Sequence, residues 1–191
     1  MKKTAVLPIC LVALGAVLNY IGGTIALVLR LPVYLDTIGT IMVGGLLGPI
    51  YGIFPGLISG IISGISTDIY ALYFTPVQII TGIMSGILFQ TVYMKKWMLP
   101  LGTLAITIPG TIVSSSITAF LFGGITSSGS SVIVQLLHKF GFNMTVSVFI
   151  VQIFTDYLDR LLAVVLVCAV LAAMPVDLKT NIKGEEYSGT L

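Results

Sequence analysis

Charge is what this chain has least of. Nine Lys and Arg and seven Asp and Glu make up 8% of 191 residues, against 57% hydrophobic residues and a mean hydropathy of +1.11. A soluble domain carries about 25% charged residues because its surface must face water. So few ionisable side chains cannot coat a globule of this size. A cytosolic enzyme, a secreted disulfide scaffold and a disordered linker are therefore excluded, and the class that remains is an integral membrane protein.

Other shortages narrow the chemistry. The single histidine, His138, and two cysteines, Cys10 and Cys168, each set in an apolar run, supply neither a zinc site nor a disulfide framework. No Walker-type phosphate loop is present, so the chain does not hydrolyse ATP itself. Intramembrane aspartyl proteases typically carry Gly-x-Gly-Asp, whereas Asp36 follows Tyr34-Leu35 and Asp156 follows Phe154-Thr155. A formal net charge of +2 is too weak to argue for nucleic acid. The expectation is a protein with no catalytic residue, no metal and no cofactor.

What the chain has in abundance is apolar length. A membrane helix takes about 20 mostly apolar residues, and charges and turn residues divide this sequence into six such stretches. The first covers about Ala5 to Leu29; it continues past the length of a signal peptide without an Ala-x-Ala cleavage site and reads as a retained helix. A second and third share Thr37 to Thr67, with a break near Gly48-Pro49. The fourth spans about Pro76 to Tyr93, the fifth Leu99 to Gly123, and the sixth Thr145 to Met174. The predicted fold is an all-α integral membrane protein, a six-transmembrane-helix bundle over residues 1–176 with a polar tail over 177–191. Lys2, Lys3, Lys95, Lys96, Lys179 and Lys183 fall on one side and Arg30 and Lys139 on the other, with Arg160 inside a helix. The positive-inside rule then puts both termini in the cytoplasm of a multi-pass cell-membrane protein.

That orientation leaves three elaborate connections outside: Arg30 to Asp36, Asp68 to Thr75, and Gly123 to Met144, the last with an amphipathic piece over Val132 to Phe142. Ionisable groups at membrane depth are costly and mark function by default. Asp156 and Arg160 share a face of the sixth helix; they form either an internal ion pair or the wall of a polar pocket. Asp36 stands at the start of the second helix with Thr37 beside it and Thr40 on its face, either as a cap or as a ligand contact. Tyr34, Tyr73 and Gln78 lie nearby in the outer connections or the top of the fourth helix. Together they suggest a polar, aromatic-lined site for a small molecule. Its acids outnumber its bases, which suits a neutral or cationic ligand rich in hydrogen-bond donors.

Glycine recurs every fourth residue from Gly44 through Gly48, Gly52, Gly56 and Gly60 to Gly64, and again at Gly82 and Gly86. Such stripes let helix backbones approach closely, within one bundle or against another membrane protein.

Leu47-Gly48-Pro49-Ile50-Tyr51-Gly52, the following Gly56-Leu57-Ile58-Ser59-Gly60, and Asp159-Arg160 entering the last helix carry a family resemblance. In these pieces, and in length and helix number, the chain resembles an S component, the substrate-binding membrane subunit of energy-coupling factor (ECF) transporters for vitamins and related micronutrients. The resemblance implies high-affinity binding of a micronutrient from outside, under loops that close over it. It also implies docking onto a shared membrane coupling protein, the T component, which works with two cytoplasmic ATPases. Mapped by position, it implies ligand contacts at Tyr34, Asp36, Thr37, Tyr73, Gln78, Asp156 and Arg160, with Thr40 added by its face. Docking in the family uses paired alanines four apart on the first helix. Here Ala13 and Ala16 stand three apart around Gly15, and the docking face is expected to combine them with Gly56, Gly60 and Gly64. The stretch Leu-Pro-Val-Tyr-Leu-Asp-Thr-Ile-Gly-Thr resembles a subgroup associated with queuosine precursors, whose 7-deazaguanine base has N–H donors for a carboxylate. Pyridoxine, hydroxymethylpyrimidine and pantothenate stay open as substrates. A membrane sensor or assembly module and a self-sufficient secondary transporter are the competing classes.

Overall fold

The computed structural model describes residues 6–91, 94 and 96–175, and among these it contains helices and no strand. The chain runs α1 (Val6–Val28), α2 (Ile38–Leu47), α3 (Pro49–Ser66), α4 (Ile69–Tyr73), α5 (Thr75–Leu88), α6 (Leu99–Ser116), α7 (Ser130–Lys139) and α8 (Met144–Ala173). A π-helical turn, Ile117–Leu121, prolongs α6. Three stretches, Val6–Val28, Pro49–Ser66 and Leu99–Leu121, are long and apolar enough to cross a membrane. The expected tail over 177–191, and Lys2, Lys3, Lys95, Lys179 and Lys183, lie outside the described residues.

The surface is apolar and the interior is where the polar groups are. Val17, Ile21 and Ile25 of α1, Ile61 and Ile65 of α3, Ile108 and Ile112 of α6, and Phe154, Leu158 and Leu162 of α8 are exposed. Asn19, Thr40, Thr81, Thr107, Gln152, Asp156 and Asp159 are buried. An apolar exterior this extensive suits hydrocarbon rather than water as its solvent. With no water to satisfy them, buried polar side chains must find partners within the bundle.

Helix α2 forms the centre. Gly39 through Leu46 are all buried, and α1, α3, α5 and α8 pack around it. At about 1.5 Å per residue, its ten residues measure about 15 Å. Its N-terminus receives a cap from a neighbouring helix. Thr37, at the capping position, makes no side-chain bond there; instead Asn19 of α1 accepts from the Gly39 and Thr40 N–H groups through Oδ1, at 2.7 and 3.3 Å. Asn19 Nδ2 donates to Thr40 Oγ1 at 2.8 Å. Asp36 therefore does not cap α2. At the other end, Gly48 has φ +89°, a conformation that favours glycine. Pro49 then starts α3 at a position where its missing N–H costs nothing.

The glycine stripe is spent on this internal packing. A Cβ at Gly52 would stand 2.6 Å from the Gly82 carbonyl oxygen, one at Gly56 2.6 Å from Gln78 Cβ, and one at Gly64 2.6 Å from Leu72 Cβ. A Cβ at Gly60 would meet Thr75 Oγ1 at 2.7 Å. Gly56, Gly60 and Gly64 thus face α4 and α5 of their own chain, and Ala16 is buried as well. Of the five residues expected on a docking face, only Ala13 is exposed.

The second helix starts within one residue of the expected Thr37. Tyr34 to Thr37 form a loop, and α2 begins at Ile38. Leu35 sits at φ +53°, in the left-handed region that interrupts a helix. Two further elements stand at this end of the bundle. Helix α4 starts at Asp68, whose Oδ1 accepts from Tyr70 N–H at 3.1 Å. Helix α7 packs Val134 and Leu137 against the Val148 and Val151 side of α8.

Candidate functional site

The three long connections converge at one end of the bundle. Ser127 of the α6–α7 connection donates a hydrogen bond to the Asp68 carboxylate ahead of α4. Phe122 receives Tyr70 and Tyr73 edge-on, with ring centroids 4.7 and 5.3 Å away. Tyr34 Oη and Ser130 Oγ are 3.4 Å apart, and Gly129 lies so close to the Arg30 carbonyl that a side chain has no room.

Beneath these connections is a cavity of about 110 Å³. One water needs about 10–15 Å³ on that scale, so the space suits a small organic molecule rather than a lone ion. Gly23, Ala26 and Leu27 of α1 and Val77 of α5 give it apolar walls, and Tyr34, Tyr70 and Phe74 add aromatic ones. Asp36, Asp68, Gln78, Ser114, Asp156 and Arg160 supply the polar groups. Thr126, Ser127 and Ser128 line it from the α6–α7 connection.

Each charged residue of α8 has a distinct role. Asp159 is fully buried and fastens the α1–α2 loop. Its Oδ1 accepts from the Tyr34 and Leu35 N–H groups at 3.0 and 2.7 Å, and its Oδ2 from the Thr37 hydroxyl at 3.3 Å. This clamp holds Leu35 in its left-handed conformation and presents Tyr34 and Asp36 to the cavity. Asp156 binds α8 to α6, because its Oδ2 accepts from Thr111 Oγ1 at 2.9 Å and Ser114 Oγ at 2.8 Å. One turn earlier on α8, Gln152 Nε2 extends the same seam by donating to Thr118 Oγ1 at 2.7 Å.

Arg160 lies between the two acids but is bonded tightly to neither. Its Nη1 is 3.8 Å from Asp159 Oδ2 and 4.0 Å from Asp156 Oδ1. The side chain is 3% exposed, borders the cavity, and has no partner at Nε. A buried polar atom without a partner is uncommon and needs a reason.

Asp36 and Gln78 complete the opposite chemistry. Thr40 Oγ1 donates to Gln78 Oε1 at 3.1 Å, which turns Gln78 Nε2 toward the Asp36 carbonyl at 3.0 Å. The Asp36 carboxyl is left to the cavity. Its withdrawal from water, reinforced by the Asp159 carboxylate and opposed by Arg160, pushes it from 3.8 up to about 7. Tyr34 in the same loop is pushed from 10.0 up to about 12, by enclosure first and by the Asp156 charge next.

Of the eight residues expected in a binding site, Tyr34, Asp36, Gln78, Asp156 and Arg160 line this cavity. Thr37, Thr40 and Tyr73 do not. Thr37 anchors to Asp159, Thr40 belongs to the Asn19–Gln78 relay, and Tyr73 stands outside against Phe122. Sequence reasoning left Ser63, Thr67, Phe74 and the Thr126–Ser128 segment out of the site. The Gly-Ser-rich composition of the last was the only visible sign that this segment folds back over polar groups.

The arrangement offers recognition. It combines one unsaturated guanidinium, a carboxyl and an oriented amide side by side, and flat aromatic walls beneath the loops. Among the described residues, no group of His, Cys, Asp and Glu is arranged to hold a metal ion. Comparison with family models, with curated proteins and with solved structures gave no match.

Proposed function

We propose that this chain is a membrane-embedded binding subunit that takes a small ring compound into the cavity from outside and passes it inward, in the manner of the ECF S components it resembles. In this reading α1, α2, α3, α5, α6 and α8 are the six membrane-crossing segments, α2 being short because its neighbours cover it. The loop end faces outward, and both termini are cytoplasmic. A membrane coupling protein and two cytoplasmic ATPases supply the work, since the chain has no phosphate-binding loop. The substrate is a heteroaromatic micronutrient; a queuosine precursor is the leading candidate.

One observation carries the reading. A cavity with Asp36, Gln78, Ser114, Asp156 and Arg160 on its walls lies beneath three connections that contact one another. Apolar clefts with a few oriented polar groups are the usual form of a small-molecule site. Protein purified from its native membrane, denatured and examined by mass spectrometry, should release a heteroaromatic compound in near-stoichiometric amount. The same preparation should retain an ATPase pair. Absence of any released compound, together with no thermal stabilisation by vitamins or deazapurines, would refute binding. A released compound with a signalling protein in place of the ATPases would instead make the chain a sensor.

A further inference from the structure

Counted from the sequence, the acids near this site outnumber the bases. Counted by what remains unbonded, they do not. Asp159 Oδ1 already accepts from two backbone N–H groups, at 3.0 and 2.7 Å, and Asp156 Oδ2 accepts from two hydroxyls, at 2.9 and 2.8 Å. Their carboxylates stand 3.8 and 4.0 Å from Arg160, whose Nη1 donates to the Asp156 carbonyl at 3.4 Å. The guanidinium is thus neutralised without being saturated, since it has five N–H donors and its Nε has no partner. Asp36 is the reverse case, a carboxyl on the cavity wall beside the Gln78 amide, whose Nε2 bonds to the Asp36 carbonyl.

We infer that the ligand is a small aminated ring of no net negative charge, with a carbonyl or ring-nitrogen acceptor turned to Arg160 and N–H donors turned to Asp36. This rests on the binding role proposed above and specifies its substrate class. Asp156 and Asp159 already set two acids against the one guanidinium, so a free carboxylate or phosphate is disfavoured as the group that meets Arg160, and more so once Asp36 ionises. A neutral acceptor meets the donor fork without adding charge. Tyr34, Tyr70 and Phe74 supply flat apolar walls for the ring. A buried donor left without its acceptor is penalised in the complex, and such sites reject analogues that lack the matching group.

The test varies the ligand first, so that it does not depend on a variant folding. Isocytosine, the same ring without its amino group, and the same ring without its carbonyl are titrated against the intact protein in lipid nanodiscs. Isocytosine should bind at least about tenfold more tightly than either analogue. In R160K, which keeps the charge and loses the fork, the penalty for removing the carbonyl should shrink; in D36N, the penalty for removing the amino group should. Equal affinity for all three rings, or an unchanged carbonyl penalty in a folded R160K protein, overturns the inference. If none of the rings binds, the compound released on denaturation decides. One carrying both an acceptor and N–H donors without negative charge supports the assignment, and an anion or a ring without both edges defeats it. If nothing is released and nothing binds, the binding role itself fails, which is a different result from failure of the polarity assigned here.

Discussion

Asp159 offers the sharpest test of how this site is held together, because it orders the loop and does not line the cavity. Its Oδ1 takes the Leu35 and Tyr34 N–H groups at 2.7 and 3.0 Å. Hydrogen bonds to a charged acceptor contribute about 1.5–3 kcal/mol each and are roughly twice as strong as neutral ones. Asp159→Asn keeps the size and one acceptor oxygen while removing the charge. It should weaken the clamp by about 1.5 kcal/mol, on the scale where 1.4 kcal/mol is tenfold. Amide hydrogen exchange reads this directly, since local opening is governed by local free energy. The Tyr34 and Leu35 amides should exchange about tenfold faster in the variant, while the Val148 and Val151 amides of α8 keep their protection. Ligand affinity should fall with them, because the same loop carries Asp36. Unchanged exchange at Tyr34 and Leu35 would refute the clamp. Uniform loss of protection along α8 would refute its locality.

Three further outcomes follow from particular contacts. Asn19→Ala removes the borrowed cap of α2 and leaves the Gly39 and Thr40 N–H groups unpaired in the core; thermal unfolding should show a loss of about 1–2 kcal/mol, and an unchanged midpoint would discount the cap. Gly52→Leu drives a side chain into the Gly82 carbonyl, whereas Ile53→Leu, one residue along, changes no backbone approach; the first should cost about 1–3 kcal/mol or prevent folding, and the second little. Asp36 gives the pH dependence. Its carboxyl is raised from 3.8 to about 7, so between those values the folded state holds the proton that the unfolded state has lost. Stability should therefore fall as pH rises through that window and level off above it. The groups facing Asp36 are Gln78 of α5 and Asp159 and Arg160 of α8, with Tyr34 in its own loop. A ligand donating to the ionised carboxyl should bind more tightly above pH 7 than at pH 5, releasing up to one proton, and D36N should weaken both trends.

Elements governed by chain-local signals were legible in the sequence. Length and hydropathy marked α1, α6 and α8, and Gly48-Pro49 marked the α2–α3 break, since each depends on residues adjacent in the chain. The short helix α4 was read only as part of a connection, whereas α7 falls on the amphipathic piece expected over Val132 to Phe142. The start of α2 was legible to within a residue, but the left-handed turn at Leu35 was not, because Asp159, more than a hundred positions away, holds it and nothing in Tyr34-Leu35-Asp36 announces it. The glycine stripe showed close packing but not the partner, which is α5 with α4 at Gly64. Thr40 shares a helix face with Asp36 only if Asp36 is helical, and Asp36 lies in the loop ahead of α2, so Thr40 meets Asn19 and Gln78 instead. Asp156 and Arg160 were found because charge at membrane depth is conspicuous. Ser63 and Thr67 were passed over because hydroxyls in membrane helices usually bond to their own backbone.

The loose pairing of Arg160 is the feature that stability does least to explain. A buried ion group is often no more stable than well-packed apolar residues of the same volume, and an Arg with acids at 3.8 and 4.0 Å gains less than one in a close bidentate pair. Had the bundle only needed locking, the Thr111–Asp156 and Gln152–Thr118 bonds already join α6 to α8. The Tyr34 and Leu35 amides likewise already occupy Asp159. Arg160 adds little to either job and leaves a buried Nε unpartnered beside a cavity. Its two acids keep it charged and fixed while their other bonds keep them from closing on it. A guanidinium held in that way retains donors for something that arrives later.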